Sequence, residues 1–357
     1  MSLQFPLRIL AGKRAFGRIQ DTGLRLNDFG LLMAAAGGSK FLMTGGLDAV
    51  LFRELARTRS DVDPLHCVGS SIGSFRMACL CCDDPGAALE RLAEACIEIA
   101  GDASTQSAPA SVVRALARAV LDGERPESIV EHPRFRLHLL STRCHGLMAS
   151  DRRATLLAGL GLVAAGNLLS RRTLALHFTR VVFHSRGERW PLRALSDLPT
   201  RHATMTRHNL HDVLDATAAV PLLVPGVTIE GAPAGVYRDS ALLDYHPAFA
   251  LDPTDKLVLC PHYYPHLTPG WFDRSFPFRR TRGEVLASTV IVTPTESFVA
   301  RLPRGARPSR KATARLPRAE RVREWRAVWS MGRELGDAFA TLLASKQHAH
   351  RALAPLD

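Results

Sequence analysis

Val68 to Ser74 reads VGSSIGS, and within it Gly69-Ser70-Ser71-Ile72-Gly73 fits G-x-S-x-G. That spacing suits a serine at the tip of a strained strand-to-helix turn, its hydroxyl projecting clear of the backbone. A side chain two residues to either side would crowd such a turn, so glycine is used there. The flanks predict the same context. Leu65 to Val68 is a short apolar run fit for a buried strand, and Ser74 to Cys82 reads helical before the turn signal Asp84-Pro85-Gly86. Short motifs of this kind also arise in ordinary glycine-rich turns, so the surrounding chain decides the reading.

Upstream, Leu31 to Ala36 (LLMAAA) has strand length and empties into Gly37-Gly38-Ser39-Lys40. A buried strand that ends in glycines presents bare backbone N–H groups at the sheet edge. Such groups can hold an oxyanion, the second part that an acyl-transfer serine needs, though the same residues also fit a plain strand-to-helix turn. Thr44 to Arg57 comes next as a helix with Leu47, Val50, Leu51, Phe52 and Leu55 on its apolar side. Ser71 therefore arrives after one glycine-ended strand and one helix. An α/β-hydrolase places several strands before its elbow serine.

Downstream, Ala87 to Ala100 and Val112 to Leu121 read as helices, and Gly101 to Pro109 between them as a loop. Arg136 to Thr142 and His177 to Ser185 read as strands. Leu156 to Leu169 (LLAGLGLVAAGNLL) is the most apolar stretch, bracketed by Arg152-Arg153 and Arg171-Arg172. It is shorter than the roughly 20 residues that span a bilayer. It suits a packing helix or, with its arginines on lipid phosphates, an interfacial segment or lid. Thr200 to Asp212 holds His202, His208 and His211 at spacings that fit no metal motif, and it reads as a solvated loop. Val213 to Ala219 is helical, and Pro221 and Pro225 bracket an apolar turn. Val236 to Arg238 is then a short strand that delivers Asp239 beside the small residues Ser240 and Ala241. Lys256 to Cys260 and Ser288 to Val292 look like late core strands, with the proline- and aromatic-rich His262 to Phe278 as a loop between them.

Taken in order, AGGSKFLMTGGLDAVLFREL and then VGSSIGS resemble the start of the patatin-like phospholipases. Their pattern is a G-G-G-x-[RK]-G loop, a helix, then G-x-S-x-G. Gly37, Gly38 and Lys40 match the loop, while Ala36 and Phe41 replace its first and last glycines. The family's later D-G-[GA] turn, with leucines and a proline after it, is matched by Asp239-Ser240-Ala241, Leu242-Leu243 and Pro247, with Ser240 in place of glycine. The resemblance covers roughly residues 29 to 250. It implies a three-layer α/β/α domain with a central, mostly parallel sheet. It also implies a catalytic Ser71–Asp239 dyad with no histidine between, a covalent acyl-enzyme, and a lipid or other acyl-ester substrate. Gly37 and Gly38 become the oxyanion-hole residues, supported by Ser39, Lys40 and the N–H of Ile72. Gly69, Gly73, Ser240 and Ala241 are motif positions. The chemistry calls for no metal and no organic cofactor.

The 357 residues suit one large α/β domain or two smaller ones. We expect an N-terminal extension over 1–28, the hydrolase domain over 29–300, and over 301–357 a basic segment with a docked C-terminal helix. Between Arg301 and Arg326, ten basic residues face Glu320 and Glu324, a net +8 of the chain's +12. Such charge favours a solvated face or contact with an anionic membrane, and no nucleic-acid-binding module is present. Seven cysteines, three of them crowded at Cys79, Cys81 and Cys82, and no secretory leader fit a cytoplasmic, reduced protein, one able to associate with a membrane. Two other readings stay open: a Ser-His-Asp hydrolase with His262 or His266 as base, and a degenerate patatin fold that binds lipid without cleaving it.

Overall fold

The computed structural model describes residues 5–101, 109–185, 195, 197–250, 255–313 and 315–356; the loop expected after Gly101 lies outside them. The strands are β1 (Leu7–Ala11), β2 (Phe29–Ala34), β3 (Leu65–Gly69), β4 (Phe135–Cys144), β5 (Phe178–His184), β6 (Thr200–Thr204), β7 (Val236–Arg238), β8 (Leu257–Pro261), β9 (Thr289–Pro294) and β10 (Leu353–Pro355). Six helices precede β4 or lead into it: α1 (Lys13–Thr22), α2 (Phe41–Thr58), α3 (Ile72–Leu80), α4 (Pro85–Gly101), α5 (Pro109–Leu121) and α6 (Pro126–Val130). Six more come after it: α7 (Arg153–Leu169), α8 (Leu210–Thr217), α9 (Glu296–Arg301), α10 (Arg310–Thr313), α11 (Arg318–Ala344) and α12 (Lys346–Ala352).

One mixed sheet runs β10-β1-β9-β8-β2-β3-β4-β5-β6. Its centre, β9-β8-β2-β3-β4, is all parallel, which is why β2, β3 and β8 read as near-continuous apolar runs. The chain is thus α/β with a central, mostly parallel sheet. One face is covered by α2, α3, α4, α5, α8 and α11, which share a core with Leu32, Ala34, Cys67, Leu137 and Leu139. The C-terminal helix begins at Arg318 as expected and lies along α2.

The opposite face differs from the expected helix layer. Leu31, Met33, Val68, Leu140 and Val258 are capped there by Phe249, Leu267 and Leu286, which belong to irregular chain and 3-10 turns. The prolines between His262 and Phe278 break any long helix there, and Leu267 from that stretch joins Phe249 and Leu286 in the apolar cover. Among the described helices only α7 lies on this side, over Cys144 and Phe178 at the ends of β4 and β5.

Two further expectations are corrected. The stretch read as an N-terminal extension enters the sheet: β1 lies between β9 and β10, and α1 joins the main core through Ala15 and Ile19. Its five residues, interrupted by exposed Arg8, carry too little pattern to be read as a strand. The stretch read as a solvated loop forms edge strand β6, parallel to β5, and then starts α8.

Candidate active site

The site lies where two strands meet head to head on a third. β3 runs parallel to β4 and pairs with Leu65↔Phe135 through Gly69↔Leu139. β7 runs antiparallel to β4 on the same edge and pairs with Thr142 to Cys144. Both strands therefore end beside Leu140 and Ser141, and the turns that leave them are thrown together there. After β3 comes Ser71; after β7 comes Asp239. Their side chains meet, with Ser71 Oγ donating to Asp239 Oδ2 at 3.2 Å. This is longer than the usual O–H···O distance of about 2.7 Å.

Ser71 adopts φ 53° and ψ −125°, a conformation L-residues rarely hold. Its backbone N–H is fixed by Thr217 Oγ1 at 3.0 Å and Ser240 Oγ at 2.8 Å. Thr217 in turn donates to Leu140 O and contacts Ser74 Oγ, while Ser70 Oγ contacts Ser240 Oγ and donates to Asp244 O. The strained turn is thus tied on every side by hydroxyls. The flanking glycines let α3 start hard against the sheet. A Cβ on Gly69 would lie 2.5 Å from Ser74 Cα, and one on Gly73 would lie 2.1 Å from Ala34 O.

Asp239 is buried, and its Oδ1 accepts the N–H of Ala241 at 2.8 Å. Desolvation pushes its carboxyl up to about 7, against the opposing pull of the Ala241 N–H and the Ser71 hydroxyl. Among the described residues four carboxylates are buried: Asp48, Asp239, Asp244 and Asp273. Arginines grip three of them, Arg76 on Asp48, Arg180 on Asp244, and Arg171 with Arg279 on Asp273. Asp239 has none, and its one side-chain partner is the serine hydroxyl.

Gly37 and Gly38 come after β2, whose Ala34 pairs with Gly69, so their loop stands beside the Ser71 turn. Tyr263 holds this loop, its hydroxyl reaching Ala35 O at 2.6 Å and Ala36 O at 2.7 Å. A Cβ on Gly37 would strike the Tyr263 ring at 2.6 Å, and Gly38 has φ +56°, so both positions call for glycine. Ala36, in contrast, donates its N–H to Tyr245 O. Ser39 is buried, and Lys40 Nζ reaches back to Gly37 O at 3.4 Å. Burial, then Arg274 and Arg307, hold the Lys40 ammonium below its usual value. Ile72 opens α3, where a first-turn N–H has no intrahelical acceptor.

His262 and His266 are not part of this cluster. His262 is buried with Nδ1 accepting the Tyr264 N–H, and His266 lies against the Tyr264 ring. Neither bonds Ser71. No local pattern marks Thr217 or Tyr263, and the elbow motif gives Ser70 and Ser74 no role of their own. Among the described residues no group of three His, Cys, Asp or Glu side chains is placed to hold a metal ion. Comparison with family models, curated proteins and solved structures finds no match to this chain.

Chemically, the site offers a hydroxyl on a strained turn and a carboxylate able to exchange a proton near neutral pH. A glycine loop stands alongside.

Proposed function

We propose that the protein is a serine acyl-ester hydrolase that acts through a Ser71–Asp239 dyad. The observation that carries this reading is the 3.2 Å contact between the Ser71 hydroxyl and a buried carboxylate with no cation beside it. In the first half-reaction Ser71 Oγ attacks the ester carbonyl carbon while its proton passes to Asp239. The tetrahedral oxyanion is met by the N–H groups of Gly37 and Gly38, with Ile72 N–H as a further donor and Lys40 adding positive potential. The C–O bond to the leaving alcohol then breaks. Asp239 returns the proton to that alcohol, and the acyl group stays on Ser71. In the second half-reaction Asp239 takes a proton from water, the hydroxide carbon–oxygen bond forms, and Ser71 leaves with the proton restored.

An aspartate near pKa 3.9 is a poor base for a hydroxyl. Burial raises Asp239 to about 7, which brings it into the useful range. The order of glycine loop, helix, elbow and late aspartate supports membership of the patatin-like phospholipases, with a patatin-like sheet and a lipid acyl ester as substrate. We also propose that the substrate is met at a peripheral contact with an anionic membrane. Ser240, where the family has glycine, supports the turn here by holding the Ser71 N–H.

The test is labelling with a fluorophosphonate, beside a hydrolysis screen over phospholipids and simple esters. Label should sit on Ser71, and Ser71→Ala should abolish both label and hydrolysis. Folded protein that takes no label would favour the lipid-binding alternative.

A further inference from the structure

Helix α7 turns Leu156, Gly159, Val163 and Asn167 inward. Its exposed positions from Leu157 to Leu169 are all leucine, alanine or glycine. A helix with apolar residues on every side is ordinarily covered. Of eleven large hydrophobic residues exposed on the described surface, ten lie on α7 or on the turns around it; Val62 is the exception. They include Leu162 at 53%, Leu169 at 87%, Leu176 at 74% and Phe278 at 73% exposure.

The patch is continuous. α7 packs on the 3-10 turns Gly146–Ala149, Arg171–Leu176 and Trp271–Asp273. Arg279 bonds Leu168 O at 3.0 Å, and a groove beside Arg153 and Leu156 joins the helix to Leu222 and Leu223. The patch is also rimmed by cations. Arg152, Arg153 and Arg172 are exposed at the helix ends, and Arg274, Arg280 and Arg282 are exposed beyond Trp271. Arg171, Arg279, Arg280 and Arg282 line a cleft of about 440 Å³ next to α7. The acids nearby are already held: Asp151 by Arg238, Asp273 by Arg171 with Arg279, and Asp197 and Asp244, which also line the cleft, by Arg180.

The basic run from Arg301 to Arg326 is different. Arg301, Arg304, Arg307, Arg318 and Arg326 pair with Glu334, Glu324, Glu296, Glu98 and Glu94. Half of its ten basic residues are thus answered within the chain.

We propose that α7 and its flanking turns are the face by which the protein docks on an anionic lipid bilayer. The helix lies in the plane of the interface, with leucines among the acyl chains and the arginine rim on lipid phosphates. No described helix is long and apolar enough to cross a membrane, which fits lying on one. Leu242 and Leu243, just after Asp239, share a core with Leu156 and Val163 of α7, and Arg171 bonds Leu243 O at 2.6 Å. Docking therefore sets the Ser71–Asp239 pair beside the bilayer. The idea rests on the lipid-ester reading for its purpose, but its test does not use catalysis.

The experiment is sedimentation of the full chain with vesicles of phosphatidylcholine alone or mixed equally with phosphatidylglycerol. Wild type and Ser71→Ala should both bind the anionic vesicles about tenfold more tightly than the neutral ones. Leu162→Asp with Leu169→Asp should lower binding at least about tenfold. Arg280→Glu with Arg282→Glu should erase the anionic preference, and Arg318→Glu with Arg326→Glu should leave it intact. Circular dichroism verifies the fold of every variant, and hydrolysis of a water-soluble short-chain ester that of every variant except Ser71→Ala; failed hydrolysis in wild type would count against the enzyme and not against docking. Three results would overturn the proposal: no vesicle binding, binding indifferent to the leucine variants, or a wild-type dimer that the leucine variants split.

Discussion

Asp48 and Asp239 are both shut away from water, but their surroundings differ. Asp48, on α2, receives two short bonds from Arg76 on α3, at 2.8 and 2.7 Å. Burial pushes its carboxyl up, the guanidinium opposes this, and the bidentate geometry keeps the pair ionic. Asp239 receives one backbone N–H and one hydroxyl. With no cation to hold the charge, its proton affinity rises to about 7. A buried carboxylate paired with arginine is fixed in one protonation state and ties helices together. One left with a serine can take up and release a proton at physiological pH, and that difference marks the second as functional.

Substitutions at the two aspartates put this contrast at risk. Asp239→Asn keeps the shape and the Ala241 bond, but its amide turns a donor toward Ser71 Oγ and cannot accept a proton. It should lower kcat/KM by roughly three to four orders of magnitude without lowering the unfolding midpoint. An active Asp239→Asn enzyme would put the two aspartates in one class. Asp48→Asn strands Arg76 as a buried charge. Denaturant unfolding should reveal a loss of about 3–5 kcal/mol, while turnover per labelled site stays within a few-fold of wild type.

The pH dependence of stability should separate them again. Asp239 is raised in the folded state, so its favourable contribution is complete below the unfolded value of 3.8 and is lost as pH rises through about 7. Relative to Asp239→Asn, wild type should lose on the order of 4 kcal/mol across that window, measured as paired urea midpoints. In the same range kcat/KM should fall about tenfold per pH unit below 7, since only the carboxylate accepts the proton. The smallest effect concerns support. Thr217→Val removes a hydroxyl that holds the Ser71 N–H, and should cost about 1–2 kcal/mol of stability and lower kcat more than it raises KM.

The elbow and the glycine loop were legible because their requirements are local. Gly69 and Gly38 answer a contact or a φ set within a few residues, and Gly73 answers the strand beside it, while Gly37, the exception, answers the distant ring of Tyr263. Asp239 was legible only through its resemblance to a known turn. Its meeting with Ser71 depends on β7 and β3 ending on the same edge of β4, a register no spacing encodes. The hydroxyl network failed to appear for the same reason, since Ser70, Thr217 and Ser240 come from three separate segments. So did a row of imidazoles on β3 to β6, in which His66, His138, His184 and His202 contact in turn at 2.9, 2.7 and 2.6 Å. Cross-strand register alone assembles it. The apolar cover of the second sheet face was hidden because proline-rich chain shows no periodicity even when it is buried.

The most direct measurement is the rate at which a fluorophosphonate labels Ser71 as pH is varied, in wild type, Asp239→Asn, His262→Ala and His266→Ala. The dyad predicts a rate that rises through about pH 7 in wild type and in both histidine variants, and that collapses in Asp239→Asn. Labelling that survives loss of the carboxylate, or that disappears with either histidine, would contradict it.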